Sequence, residues 1–228
     1  MPTKTIPVED HSYSGEPTRD VVITAPNLKT AIFTITGIAP LMIHRFSKKA
    51  EMMATMAEAK PAGSRRRTKS ARDYEKEASD ACYKDGADGW HGLNAAAFRN
   101  AMISACRLVG FKMTLAKLSI FIEPEGFDAV DFIPLVRIDA PKYRVSTLHA
   151  RNATGVIDIR SRPLWDKWKA TLKVTWDADQ FTITDVTNLL ARAGLQVGVG
   201  EGRPDSKQSA GMGFGLFTLK LEGGDNAR

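Results

Sequence analysis

The sequence predicts an α+β protein, with helices packed on one face of an antiparallel sheet. Three observations lead there. Apolar and polar residues alternate over 30–38 and again over 168–176, the two-residue period of a half-buried strand. Between them Phe98, Met102, Cys106 and Val109 recur at helical spacing. Helices and strands are partly segregated along the chain, and few strand–helix–strand units follow one another, which argues against a parallel sheet.

The elements follow in order. Residues 1–27 are polar and carry Pro2, Pro7, Pro17 and Pro26, the composition of a loose arm. Residues 30–38 are β-branched and alternating, hence a strand. The chain then turns at Ala39-Pro40, and Ser47 is placed to cap a helix lined by Met52, Met53 and Met56. Residues 60–72 carry six cations and no acid, an excess equal to the +6 of the whole chain. Like charges repel and Pro61 and Gly63 break helices, so a mobile basic excursion is expected there. A helix resumes over 73–83, and 84–89 is a turn cluster. Asn94 caps the main helix, 95–110, which Gly110 stops. Strands are expected at 118–123, 129–138, 143–149 and 168–176, the last with Trp168, Ala170, Leu172, Val174 and Trp176 on one face. Thr184 is placed to cap a short helix over 185–193 that Gly194 closes, and a final strand covers 216–221. This order fits a ferredoxin-like core of βαββαβ type, with inserts before the main helix and in the middle hairpins. The expected organisation is one domain over 28–222 with a basic insertion at 60–72, preceded by the arm and followed by a tail at 223–228.

Composition sets limits. A chain of 228 residues with 43% hydrophobic content suits one good core. A net charge of +6 favours an anionic partner. Cys82 and Cys106 lack metal or disulfide spacing and lie in apolar, helix-like surroundings, so both read as buried free thiols. No apolar run approaches the roughly 18 residues that a membrane span needs, and residues 1–10 show no apolar signal region. A cytoplasmic, membrane-free setting is the expectation.

The most informative stretch is 198–215, with six glycines in eighteen residues and Arg203 and Lys207 among them. Such a cluster marks positive φ or a close approach to the backbone, and cations beside exposed amides suit phosphate oxygens. No dinucleotide or P-loop fingerprint is complete. The histidines (His11, His44, His91, His149) form no metal-ligand pair, so neither metal nor cofactor is expected. The acids Glu123, Glu125, Asp128 and Asp131 read as a solvated turn. His44, beside Arg45, has two readings: a seat for the strand–helix turn, or a general base toward a ribose 2′-OH. In the middle of the chain Arg137, Lys142, Arg144, Arg151, Arg160 and Arg162 are interleaved with Tyr143, His149, Trp165 and Trp168. Arginines clamp phosphates and aromatic rings stack on unpaired bases, a pairing that suits single-strand binding.

Gly198-x-Gly200, Ser209-x-Gly211-x-Gly213-Phe214-Gly215 and the terminal strand resemble the C-terminal glycine-rich loop of CRISPR-associated RAMP proteins. That superfamily is built from ferredoxin-like (RRM-like) modules and includes guide-RNA backbone subunits and guide-processing endoribonucleases. Ala39-Pro-Leu-Met-Ile-His-Arg-Phe-Ser47 and Val197-Gly-Val-Gly-Glu-Gly-Arg-Pro204 are similar to segments of conserved uncharacterised bacteriophage proteins. The RAMP resemblance implies a glycine loop lying over the sheet and touching RNA or single-stranded DNA, with 60–72 as an insertion that grips the strand.

The leading expectation is a non-catalytic binder of single-stranded RNA or DNA, able to multimerise into a filament along the strand in a bacterial host cell. Arg65, Arg66, Arg67, Lys69 and Arg72 would supply salt-dependent affinity. Lys142, Arg144, Arg151, Arg160 and Arg162 would line the strand's path. Gly198, Gly200, Arg203, Lys207, Gly211 and Gly213 would fix its backbone. One alternative is a metal-independent endoribonuclease with His44 as base and Arg45 or Lys48 as electrostatic helpers. Another is a phage factor that docks on subunits of a host RAMP complex.

Overall fold

The computed structural model describes residues 25–45, 72–151, 157–206 and 211–219. Along them run β1 (Leu28–Gly37), β2 (Leu41–Met42), α1 (Tyr74–Asp80), β3 (Tyr83–Lys84), β4 (His91–Asn94), α2 (Ala95–Ala105), α3 (Met113–Ser119), β5 (Ile120–Glu123), β6 (Gly126–Phe127), β7 (Pro134–Arg137), β8 (Arg144–Arg151), β9 (Ile157–Trp165), β10 (Lys169–Asp177), α4 (Ile183–Arg192) and β11 (Phe217–Leu219). The α+β class holds, but the strands form three sheets rather than one.

The central sheet has the order β11-β1-β10-β5, and every neighbouring pair is antiparallel. Along the chain its parts read β1, α2, β5, β10, α4, β11. The alternation read in β10 is realised: Ala170, Leu172, Val174 and Trp176 are buried, whereas Lys169, Thr171 and Lys173 are exposed. Sliding β10 by one residue would turn Leu172, Val174 and Trp176 to water, at about 1.5–3 kcal/mol for each. That cost fixes the register, with Leu28 opposite Asp177 and Thr36 opposite Lys169. Helices α2 and α4 cover the apolar face: Phe98, Met102, Val186, Leu189 and Leu190 join Ile35, Leu172 and Phe217 in the core. Asn94 caps α2 through Ala96, as expected, and α2 tightens into a 3₁₀ turn, Cys106–Val109, ended by Gly110 at φ +67°. Both cysteines are free and buried.

Two smaller sheets are inserted. The hairpin β8–β9 pairs through β9 with β2, and α1 packs on that hairpin. The third sheet has the order β3-β4-β7-β6. It ends in twin aspartate turns related by a local pseudo-twofold. Asp85 accepts from the amides of Ala87, Asp88 and Phe127; Asp128 accepts from those of Val130, Asp131 and Lys84. These amides hold the Asp85 carboxyl below the usual carboxylate range, Asp88's foremost. The expected solvated acidic turn is therefore corrected at Asp128, which is buried and paired with Arg45.

Three further corrections concern the ends of elements. The helix cap near 184 is Thr182: Thr182 and Asp185 form a reciprocal capping box, and only this choice puts an acid three residues into the helix. Gly194 does not stop the helix. The chain continues through a π-helical turn, Ala193–Val197, to Gly198 at φ +74°, and Gly194 instead makes room for the Phe217 carbonyl. Residues 113–119 are helical and β5 begins only at Ile120.

Candidate functional site

The glycine-rich loop leaves the π-helical turn at Gly198 and returns to the sheet at β11. Positive φ occurs at Gly198, Gly200, Gly202, Gly211, Gly213 and Gly215. The close approaches expected of this cluster are made by the chain itself. A Cβ on Gly200 would run into the Met42 carbonyl, and one on Gly215 into Val199. The loop is locked down by Glu201 N–H donating to Met42 at 2.9 Å, Val199 to Gly215 at 3.0 Å and Gly215 to Pro40 at 2.7 Å. Gly213 alone of the four glycines assigned to nucleic acid combines positive φ with open space.

So fixed, the loop forms one wall of a polar cleft of about 440 Å³. The opposite wall is one face of α2 and its cap: Asn94, Ala96, Ala97, Asn100, Ala101 and Ser104. Ile43, His44 and Tyr83 close one end, and the loop contributes Val199, Gly200, Glu201, Arg203 and Asp205. The charges are mostly paired. Glu201 Oε2 accepts from Arg162 Nε at 2.8 Å and lies 3.8 Å from His44 Nδ1. Asp205 accepts from Arg107 at 2.6 Å. The Ser104 hydroxyl foremost, then Arg107 and the nearby Arg203 charge, hold the Asp205 carboxyl below its ordinary range despite partial burial. Arg203 donates through Nη1 to the Gly200 carbonyl at 3.1 Å, and its other N–H groups have no partner among the described residues.

The structure distributes the predicted residues unevenly. Arg45 is nearly fully buried and donates to Asp128 and Asp131, so its guanidinium is committed to the twin turns rather than to an electrostatic role beside His44. Arg162 is buried and serves Glu201. Trp165 is buried, edge-on to Tyr143 and His91, and Trp168 is buried with its Nε1 donating to Ala39, so neither indole offers a face to a base. Lys142 and Arg144 are exposed, but they line a groove shared with Glu75 and Asp80 of α1. Arg144 pairs with Asp166 at 3.0 Å, both side chains more than half exposed, a pairing worth about 0–1 kcal/mol that a phosphate can displace. Arg160 is half-buried. Arg72 bonds Glu77 at the start of α1. Lys48, Arg65, Arg66, Arg67, Lys69 and Lys207, and the side chains of His149 and Arg151, lie outside the described residues.

Sequence reasoning missed Glu201, Asn100, Ser104 and Asp205 as cleft residues. For α2 a signal existed: Asn94, Ala97, Asn100, Ala101 and Ser104 recur at helical spacing on the face away from Phe98 and Met102. For Glu201 none did, because its partners Arg162 and His44 are distant in sequence. Among the described residues no group of three or more His, Cys, Asp or Glu could hold a metal ion, and no helix is long and apolar enough to cross a membrane. No protein-family model matches the chain, and no curated protein matches it.

Proposed function

We propose that the chain is a RAMP-like protein with a ferredoxin-like (RRM-like) core that binds single-stranded RNA or DNA without cutting it. The observation that carries this reading is the cleft. The glycine-rich loop, tied to Pro40 and Met42 by backbone hydrogen bonds, presents Arg203 in the same cleft as Asn100 and Ser104 of α2. Support for the core comes from strand order. Numbered along the chain, the four central strands stand fourth, first, third, second, all antiparallel, and one helix from each half, α2 and α4, packs on the sheet.

Charge divides the labour. The described residues hold 20 Lys and Arg against 18 Asp and Glu, whereas residues 46–71 hold seven against two. Long-range attraction to a polyanion thus comes from the basic segment, and local contacts come from the cleft. Neutralising about five phosphates gives a log–log salt slope near −3.5 on single strands, from about −0.7 for each contact. Titrating labelled single strands over a salt series tests this, with Arg65, Arg66, Arg67, Lys69 and Arg72 all changed to alanine. The variant is expected to lose most of that slope. An unchanged slope and affinity would remove the basic segment from the account.

A second reading is favoured by one contact, the His44–Glu201 approach, which suits a carboxylate orienting an imidazole that takes a 2′-OH proton. The buried ion pairs of Arg45 count against it as the helper. Incubating structured RNA without metal decides between the readings. A cyclic-phosphate product that disappears in His44→Ala supports cleavage, and intact RNA supports binding alone.

A further inference from the structure

A site that only grips backbone phosphates leaves several cations unpaired. This cleft does the reverse. Of the three arginines around it, Arg162 is buried against Glu201 and Arg107 pairs with Asp205, each already facing a carboxylate. Arg203 alone of the three has no ion-pair partner among the described residues, and its one hydrogen bond goes to the Gly200 carbonyl. The opposite wall is uncharged. It carries the exposed carboxamide of Asn100, which has no hydrogen-bond partner among the described residues, above the low relief of Ala96, Ala97 and Ala101. Asn94 stands at the near end with its Oδ1 committed to the Ala96 amide at 2.8 Å, which leaves its NH₂ to the cleft. Among the described residues lining the cleft, the only ring with appreciable exposure is His44, whose side chain is 22% exposed.

We propose that the cleft seats a single unpaired nucleotide and reads its base. The base edge meets the Asn100 carboxamide, the base plane lies against the alanine-lined stretch of α2, and the attached phosphate meets Arg203. An amide is the side chain suited to this task. It offers one acceptor and two donors in a plane, so it forms paired hydrogen bonds with a complementary base edge and leaves a donor or acceptor unpaired against the wrong one. A volume of about 440 Å³ is enough to hold one nucleotide. The chain would then bind single strands generally through its basic segment and prefer one base through this cleft. The inference rests on the single-strand-binding reading above and adds base selectivity to it.

The test is competition binding with short homopolymers of A, C and U on the full chain and on two variants, Asn100→Ala and Asn100→Asp. Position 100 is an exposed helix site where either change is compatible with folding, which circular dichroism checks. The wild type is expected to prefer one homopolymer by about tenfold or more, the discrimination a paired amide contact supplies. Asn100→Ala should erase that preference by weakening the preferred homopolymer about tenfold more than the others. Asn100→Asp, which keeps an acceptor and loses both donors, should weaken the preferred homopolymer most. Equal binding of all homopolymers by the wild type, or a uniform loss in Asn100→Ala, overturns base reading and leaves single-strand binding standing. Failure of the wild type to bind any of them overturns both.

Discussion

Arg45 separates a structural role from a catalytic one, and the structure supplies the magnitude. Its side chain is 6% exposed, Asp128 is 1% exposed, and the guanidinium lies 2.8 Å from Asp128 and 3.0 Å from Asp131. Removing one member of a buried ion pair strands the other charge in a poorly solvating interior, at about 3–5 kcal/mol. Asp128 would keep three backbone amides in Arg45→Met, which limits the loss, and methionine retains much of the alkyl packing. The expected cost is therefore near 3 kcal/mol, a large share of the 5–15 kcal/mol typical of a folded domain. In a chain of this length that lowers Tm by about 6–12 °C. Urea unfolding followed by tryptophan fluorescence measures it, since Trp165, Trp168 and Trp176 are buried. Combining Arg45→Met with Asp128→Asn should cost less than the sum of the two single changes, because the buried carboxylate that loses its guanidinium in the first is gone in the second. A loss below about 0.5 kcal/mol in Arg45→Met would refute the buried-pair reasoning and return Arg45 to the candidates for chemistry.

Two further expectations use the same structure. Gly215→Ala should destabilise the loop more than Gly213→Ala. Both positions carry positive φ, worth about 1–2 kcal/mol against an L side chain, but only Gly215 adds a clash with Val199; equal Tm losses would contradict the close-approach account. Burial pushes the Cys82 thiol up to about 12, against an ordinary value of 9.0, so it should resist thiol reagents in the native state and react on unfolding. A raised folded-state pKa means that the folded form keeps its proton where the unfolded form loses it. The associated stability is fully present below pH 9 and falls as pH rises from 9 toward 12. Rapid labelling of native Cys82 at neutral pH would contradict its burial.

Legibility followed the range of the interaction. β10 and α2 could be read because their periods are local and one face of each is buried. β9 was missed. Asp158, Arg160 and Arg162 are spaced like an exposed strand face, yet Arg162 is buried by an ion pair to a loop 39 residues away. Pro163 also counts against a strand by local rules, although here it pairs with Val145 and its carbonyl accepts from Ile43. The glycine loop was recognisable as a place needing positive φ. What its glycines approach was not, because Met42 belongs to a strand far upstream. Twin aspartate turns were hidden for a related reason. Asp85 and Asp128 each satisfy a local turn pattern, and only their pairing across the sheet shows that they form one unit with Arg45.

We place the bound single strand in the cleft between α2 and the glycine-rich loop. Backbone amide shifts of the isotope-labelled protein, recorded while a short single-stranded RNA is added, test it most directly. The account predicts saturable shifts clustered at Asn94, Ala96, Ala97, Asn100, Gly200, Glu201 and Arg203. Shifts confined to the groove of Lys142 and Arg144, with the cleft amides unmoved at saturation, would contradict it.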